Sequence, residues 1–176
     1  MTRPALSIKR LTDLAVIPEY QSEEAAGMDL HAAIDQPIEL PSGDIAMIPL
    51  GFAMAIPPGW EAQVRPRSGL ASRHGISMPN SPGTIDADYR GEVKIILINL
   101  GTEPVTIEKG ERIAQLVLCP VVQAQFVKVD ALGETVRGEG GFGSTGVEGA
   151  AAAPPPPPGG KRVRAISPSG EGDAAA

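Results

Sequence analysis

The chain has 176 residues, 42% of them hydrophobic and 20% charged, with a formal net charge of −6 at pH 7. That length holds one domain with a substantial core rather than two. The acidic balance, with no lysine/arginine block in the body of the chain, argues against nucleic-acid binding by a broad basic surface. One cysteine, Cys119, rules out an intramolecular disulfide framework and favours a reducing compartment. The two histidines, His31 and His74, lack ligand-like spacing for zinc. No apolar run reaches membrane-spanning length, and the opening MTRPALSIKRL has no apolar core of signal-peptide type. The expectation is a cytoplasmic protein without a membrane role.

In chain order, SIKRL near the start reads as a strand, and AAGMDL sets Asp29 at the entrance of another, just after Gly27. DIAMIPL, FAMAI and WEAQVRP follow as separate strand segments, divided by proline and glycine. SGLASRHG, Ser68 to Gly75, is the one short helix, opened by a serine cap and closed by glycine. NSPGTIDADYRG turns twice, at Pro82-Gly83 and at DYRG, and presents Asp86, Asp88, Tyr89 and Arg90 on a tight hairpin or loop. Polar and apolar residues then alternate from Glu92 to Ile95 at the head of EVKIILINL, as in a strand with one wet face. PVTIEKG, RIAQLVLCPVV and QFVKVD are three further strand segments. Many short strands at near-regular spacing predict an all-β fold, a jelly-roll-like barrel or sandwich. The expected organisation is a β domain over 1–136, a glycine-rich arm over 137–146 and a tail over 147–176. The tail, with its GAAAAPPPPPGG run, cannot bury enough apolar surface to offset its ordering entropy and is expected to be disordered. Its five prolines are a solvated spacer or a polyproline ligand for a partner protein.

Several stretches carry groups suited to an anionic ligand. Arg67 and Ser68 sit where RPRSGLA feeds a helix start, where free backbone N–H groups and the dipole favour an anion; a plain serine cap accounts for Ser68 equally well. Asp86 and Asp88 are either turn partners or a general base at a sheet end. Arg112 and Gln115 are polar residues within an apolar strand, and alternation offers them the solvent face. RGEGGFGSTG is a linker or an arm that closes over a ligand, with Arg137 able to clamp a phosphate, Phe142 to stack on a ring, and Ser144 to supply a hydroxyl and an amide.

Taken in order, AGMDL, RPRSGLA, NSPGTIDADYRGE, ERIAQLVL and RGEGGFGSTG resemble the five motifs of the homotrimeric dUTP diphosphatases (dUTPases). The resemblance runs from the first strand to Gly146 and implies a jelly-roll homotrimer with active sites shared between subunits. The implied reaction converts dUTP and water to dUMP and pyrophosphate, supplying dUMP for thymidylate synthesis and keeping uracil out of DNA. It casts Asp86 as the general base, and Arg67, Ser68 and Gly69 as phosphate ligands assisted by Gln115. Asn80, Gly83, Thr84 and Ile85 read the uracil, and Tyr89 packs on the sugar to reject a 2′-hydroxyl. Arg137 meets the γ-phosphate, with Phe142, Gly143 and Ser144 completing the arm over the nucleotide. Magnesium (Mg2+) rides on the triphosphate, with Asp29 reaching it through water; Asp88 stays with the turn residues. The tail beyond the arm departs from the pattern that family members commonly follow. Three other readings compete: a dCTP deaminase, a silent dUTP-binding regulator, and an interaction protein acting through the tail.

Overall fold

The computed structural model describes residues 4–141. The chain separates into one compact unit over Met1–Gln125 and another beginning at Phe126. Phe142, Gly143, Ser144 and the tail over 147–176 lie outside the described residues.

The first unit is built almost entirely of short strands. In chain order they are β1 (Ser7–Arg10), β2 (Met28–His31), β3 (Ile38–Leu40), β4 (Ile45–Ala55), β5 (Trp60–Pro66), helix α1 (Ser68–His74), β6 (Ile76–Ser77), β7 (Gly83–Ile85), β8 (Glu92–Asn99), β9 (Val105–Ile107) and β10 (Arg112–Pro120). Two four-stranded sheets, ordered β1-β4-β8-β6 and β2-β10-β5-β7, contribute to one apolar core, beside a small β3-β9 ribbon. The described strand pairings are antiparallel. The architecture is therefore a sandwich and not a closed barrel. Strict alternation drives it: in β8 every second side chain from Val93 to Asn99 is buried while Glu92, Lys94, Ile96 and Ile98 face outward. Leu30 and Leu116 from one sheet and Ile48, Phe52 and Ile95 from the other are fully enclosed in that core.

Three sequence expectations are corrected. DIAMIPL and FAMAI form one strand, β4, because Gly51 takes a left-handed φ of 69° at a bulge between Pro49 and Ala53. A proline has no ladder donor to lose at such a point. Ser68 is not the helix cap: Arg67 holds that position, with no side-chain cap bond, so Ser68 is the first helical residue. The glycine stop is as expected, Gly75 closing α1 at φ 70°. QFVKVD forms no strand, and Phe126 and Val127 are exposed, Phe126 at 95%. A strand needs a neighbour for its N–H and C=O groups, and none of the described strands pairs with it.

One buried polar side chain ties the ends of these elements together. Asn99 Nδ2 donates to the carbonyls of Leu40 (2.9 Å) and Glu103 (2.8 Å), and its Oδ1 accepts from Gly101 N (2.9 Å). Replacing it with Ala strands these backbone groups, so Asn99→Ala is expected to lower unfolding stability by about 3 kcal/mol in urea titrations. A loss below about 0.5 kcal/mol would mean that water reaches them.

Candidate active site

The outer face of the β2-β10-β5-β7 sheet gathers several of the candidate residues. On β2, Met28 and Leu30 point to the core, which turns Asp29 and His31 outward. Asp29 lies directly opposite Gln115 on β10, and Gln115 in turn opposite Arg65 on β5. Alternation alone cannot give both Arg112 and Gln115 the solvent face, contrary to the expectation above, because they lie three residues apart. A register shift between Arg112 and Ala114 cancels that: Ile113 and Ala114 are both buried, and Arg112 comes out beside His31 on the same face as Gln115. This bulge is the feature that the sequence reading missed, since a second apolar residue in an apolar strand raises no signal.

The result is a compact charged cluster. Asp29, its side chain 13% exposed, pairs through Oδ1 with Arg67 Nε at 3.3 Å and through Oδ2 with Arg112 Nη1 at 3.1 Å. Arg67 Nη1 also donates to the Arg112 carbonyl at 2.9 Å. Gln115 Nε2 donates to the Pro66 carbonyl at 3.0 Å, which fixes its amide against the residue that precedes Arg67. Gly27 is what lets it do so: a Cβ there would stand 2.7 Å from Gln115 Oε1. His31, whose Nδ1 is buried without a hydrogen-bond partner, is pushed below the usual imidazole range by burial. Asp29 raises it, and Arg112 and Arg67 lower it further. Ser68 and Gly69 are exposed at the start of α1, immediately after Arg67. Asp29, Arg67, Ser68, Gly69 and Gln115 are thus brought together, joined by an arginine that was given no role.

The hairpin forms a second assembly. β7 pairs with β5 through Gly83↔Val64, Thr84↔Gln63 and Ile85↔Ala62, and Asp86 follows, exposed. The turn after it is braced by Tyr89 N donating to the Asp86 carbonyl (3.2 Å) and by Arg90 Nη1 donating to the carbonyls of Ala87 (2.7 Å) and Tyr89 (2.8 Å). Tyr89 Oη donates to the Glu92 carbonyl at 3.0 Å, laying the ring across Gly91, where a Cβ would come within 2.7 Å of Cζ. Thr84, Ile85, Asp86 and Tyr89 share a cavity of about 270 Å³ with Lys94, a residue absent from the sequence candidates. The Asn80 amide reaches toward Gly83, its Nδ2 standing 3.2 Å from the position of a Cβ there. Asp86 also borders a second, larger cleft of about 780 Å³ with Trp60, Glu61, Asp88 and Arg90.

The two assemblies do not meet within one chain. Arg67 follows the last residue of β5, whereas Ile85 pairs with Ala62 near its first. Five residues of strand separate these levels, roughly 17 Å at about 3.3 Å per residue. In the second unit, Arg137 is exposed, and its Nε donates to the Gly140 carbonyl at 2.7 Å.

A cradle of arginines beside a helix start, and a base-sized cavity under a tyrosine and next to an exposed carboxylate, define a protein that handles phosphorylated small molecules on a β sandwich. The family is more specific than that. The dUTPase family profile matches residues 13–146, and the chain belongs to that family. It is 57% identical over 150 residues to the deoxyuridine 5′-triphosphate nucleotidohydrolase of Rhizobium etli, covering 83% of this chain and 96% of the relative. The enzyme of the same name from Rickettsia felis is 55% identical over 148 residues, covering 84% and 100%. Among solved structures, the Staphylococcus bacteriophage 80alpha dUTPase with dUPNHPP superposes with a TM-score of 0.71 at 31% identity, covering 81% of this chain and 99% of that one. The jelly-roll expectation is borne out on this likeness.

Proposed function

We infer that this chain is a dUTP diphosphatase that hydrolyses dUTP to dUMP and pyrophosphate, working as a homotrimer with shared sites. Membership of the dUTPase family over residues 13–146 carries the activity. The separation of the two assemblies supports the sharing. A single triphosphate cannot reach from the Arg67 cradle to Asp86 across roughly 17 Å of strand, so a second copy supplies the other half.

In this reading Asp86 orients a water and takes its proton as the oxygen attacks the α-phosphorus. The bond from that phosphorus to the oxygen bridging to the β-phosphate then breaks, and pyrophosphate departs. Arg67, with the backbone N–H groups of Ser68 and Gly69, holds phosphate oxygens, and Gln115 supports that network. Asn80, Gly83, Thr84 and Ile85 read the uracil edge, while Tyr89 closes the sugar pocket. Arg137, Phe142, Gly143 and Ser144 form the arm over the nucleotide. The domain reading is a β body over 1–136, the arm over 137–146 and a tail over 147–176 that leaves the chemistry to the rest.

The donor set fits magnesium carried in by the triphosphate. Among the described residues there is no group of three or more His, Cys, Asp or Glu able to cage a metal. Both Asp29 oxygens already face guanidinium groups, and their remaining lone pairs suit the waters of a hydrated ion. When bound, the ion offsets phosphate charge. Cytoplasmic placement belongs to this reading too; among the described residues no helix is long and apolar enough to cross a membrane.

The test is pyrophosphate and ammonia release from dUTP, dCTP, UTP and dTTP with magnesium. Pyrophosphate from dUTP alone is expected; ammonia from dCTP would move the chain to the deaminase branch. Gly91→Ala, which displaces the Tyr89 ring, is expected to lower the dUTP-over-UTP ratio of kcat/KM by about tenfold or more. An unchanged ratio would remove Tyr89 from sugar selection.

A further inference from the structure

We propose that Arg112 is a positioning residue of this active site, which keeps Asp29 from locking the Arg67 guanidinium and so leaves Arg67 free to take a phosphate. The proposal rests on the dUTP-hydrolase reading of the site.

A carboxylate beside an arginine tends to close a bidentate fork, both oxygens on two N–H groups of the guanidinium. Asp29 does not do this to Arg67. Its Oδ1 meets Arg67 at Nε, 3.3 Å away, while its Oδ2 is turned to Arg112 Nη1 at 3.1 Å. Arg67 Nη1 is held separately by the Arg112 carbonyl at 2.9 Å. Arg112 therefore acts twice, its side chain occupying the second carboxylate oxygen and its backbone steering one edge of Arg67. Arg67 Nη2 makes no hydrogen bond to the described residues and is the group proposed to take the phosphate. The three charges sum to +1, so the cluster stays attractive to an anion although it contains a carboxylate.

The fold takes a specific step to make this contact. Without the extra residue at the Ile113–Ala114 bulge, Arg112 would face away from Gln115 and Asp29. With it, Arg112 lies opposite His31, two residues from Asp29 on the same face. The Arg112 side chain is 49% exposed, so its replacement removes an ion pair without opening the core.

The experiment is a double-mutant cycle read by steady-state dUTP hydrolysis, with the unfolding midpoint followed alongside. Arg112→Gln is expected to raise KM for dUTP about 30-fold, the loss of one charge-assisted hydrogen bond. Its kcat should change less than about threefold and its unfolding midpoint little. Arg112→Lys, which returns one cationic N–H donor to Oδ2, is expected to restore most of the affinity. In an Asp29→Asn background, where the carboxylate no longer competes for Arg67, Arg112→Gln is expected to cost almost nothing more. A full additional loss in that background would overturn the proposal, because Arg112 would then be touching the substrate itself. Unchanged KM in Arg112→Gln would overturn it as well. A wild-type protein that releases no pyrophosphate from dUTP overturns the underlying reading instead, and the two failures are told apart by that control.

Discussion

Asp86→Asn is expected to lower kcat for dUTP about 10³-fold or more, with KM for dUTP within about threefold of wild type. The substitution keeps the size and the turn. The Asp86 carbonyl still accepts from Tyr89 N, and β7 still pairs with β5 through Ile85 and Ala62. What disappears is the carboxylate that, in the proposed mechanism, takes the proton of the attacking water. A fall in kcat with unchanged KM assigns Asp86 to a step after binding. Loss of binding with intact kcat would return it to the turn, and tight dUTP binding by a wild type without turnover would point to a silent regulator.

Mixing two inactive variants is expected to restore activity. In the proposed site Arg67 is a charged phosphate ligand, so Arg67→Ala alone should cost about 10²-fold or more. If sites are shared within a trimer as proposed, random assembly from equal amounts of Arg67→Ala and Asp86→Asn chains gives each site its Arg67 from one subunit and its Asp86 from another. One half of the chains carry an intact Arg67 and one half an intact Asp86, so about a quarter of the sites are complete. Recovery of about a quarter of wild-type activity after co-refolding supports sharing; recovery near zero places both residues in one subunit's site. The prediction follows from β5, which puts the two groups at its opposite ends.

Some of this was open to reading from local pattern. The alternation in Glu92–Ile95 announced β8, and Gly75 announced the end of α1, because side-chain period and left-handed backbone are local properties. Other readings failed for equally physical reasons. Gly51 looked like a break between two strands, yet it is a bulge across which β4 stays paired with β8, from Ile45 to Ala53, while Phe52–Ala55 also pair with β1. Val127 and Val129 alternate as a strand would, but a strand exists only where a neighbour offers its backbone. Ser68 has the side chain of a cap and sits one residue inside the helix.

The sequence by itself determined which groups are present and in what order: a carboxylate after Gly27, an arginine before a helix, a carboxylate on a hairpin, a glutamine in an apolar strand. Only the tertiary structure decided their company. Strand register joined Asp29 to Gln115, one bulged residue carried Arg112 round to Asp29, and the length of β5 held Arg67 and Asp86 apart. The physical reason is that a side chain's chemistry is local, whereas the face it occupies and the partner it meets are set by pairing with strands distant in sequence, where a shift of one residue exchanges one face of the sheet for the other.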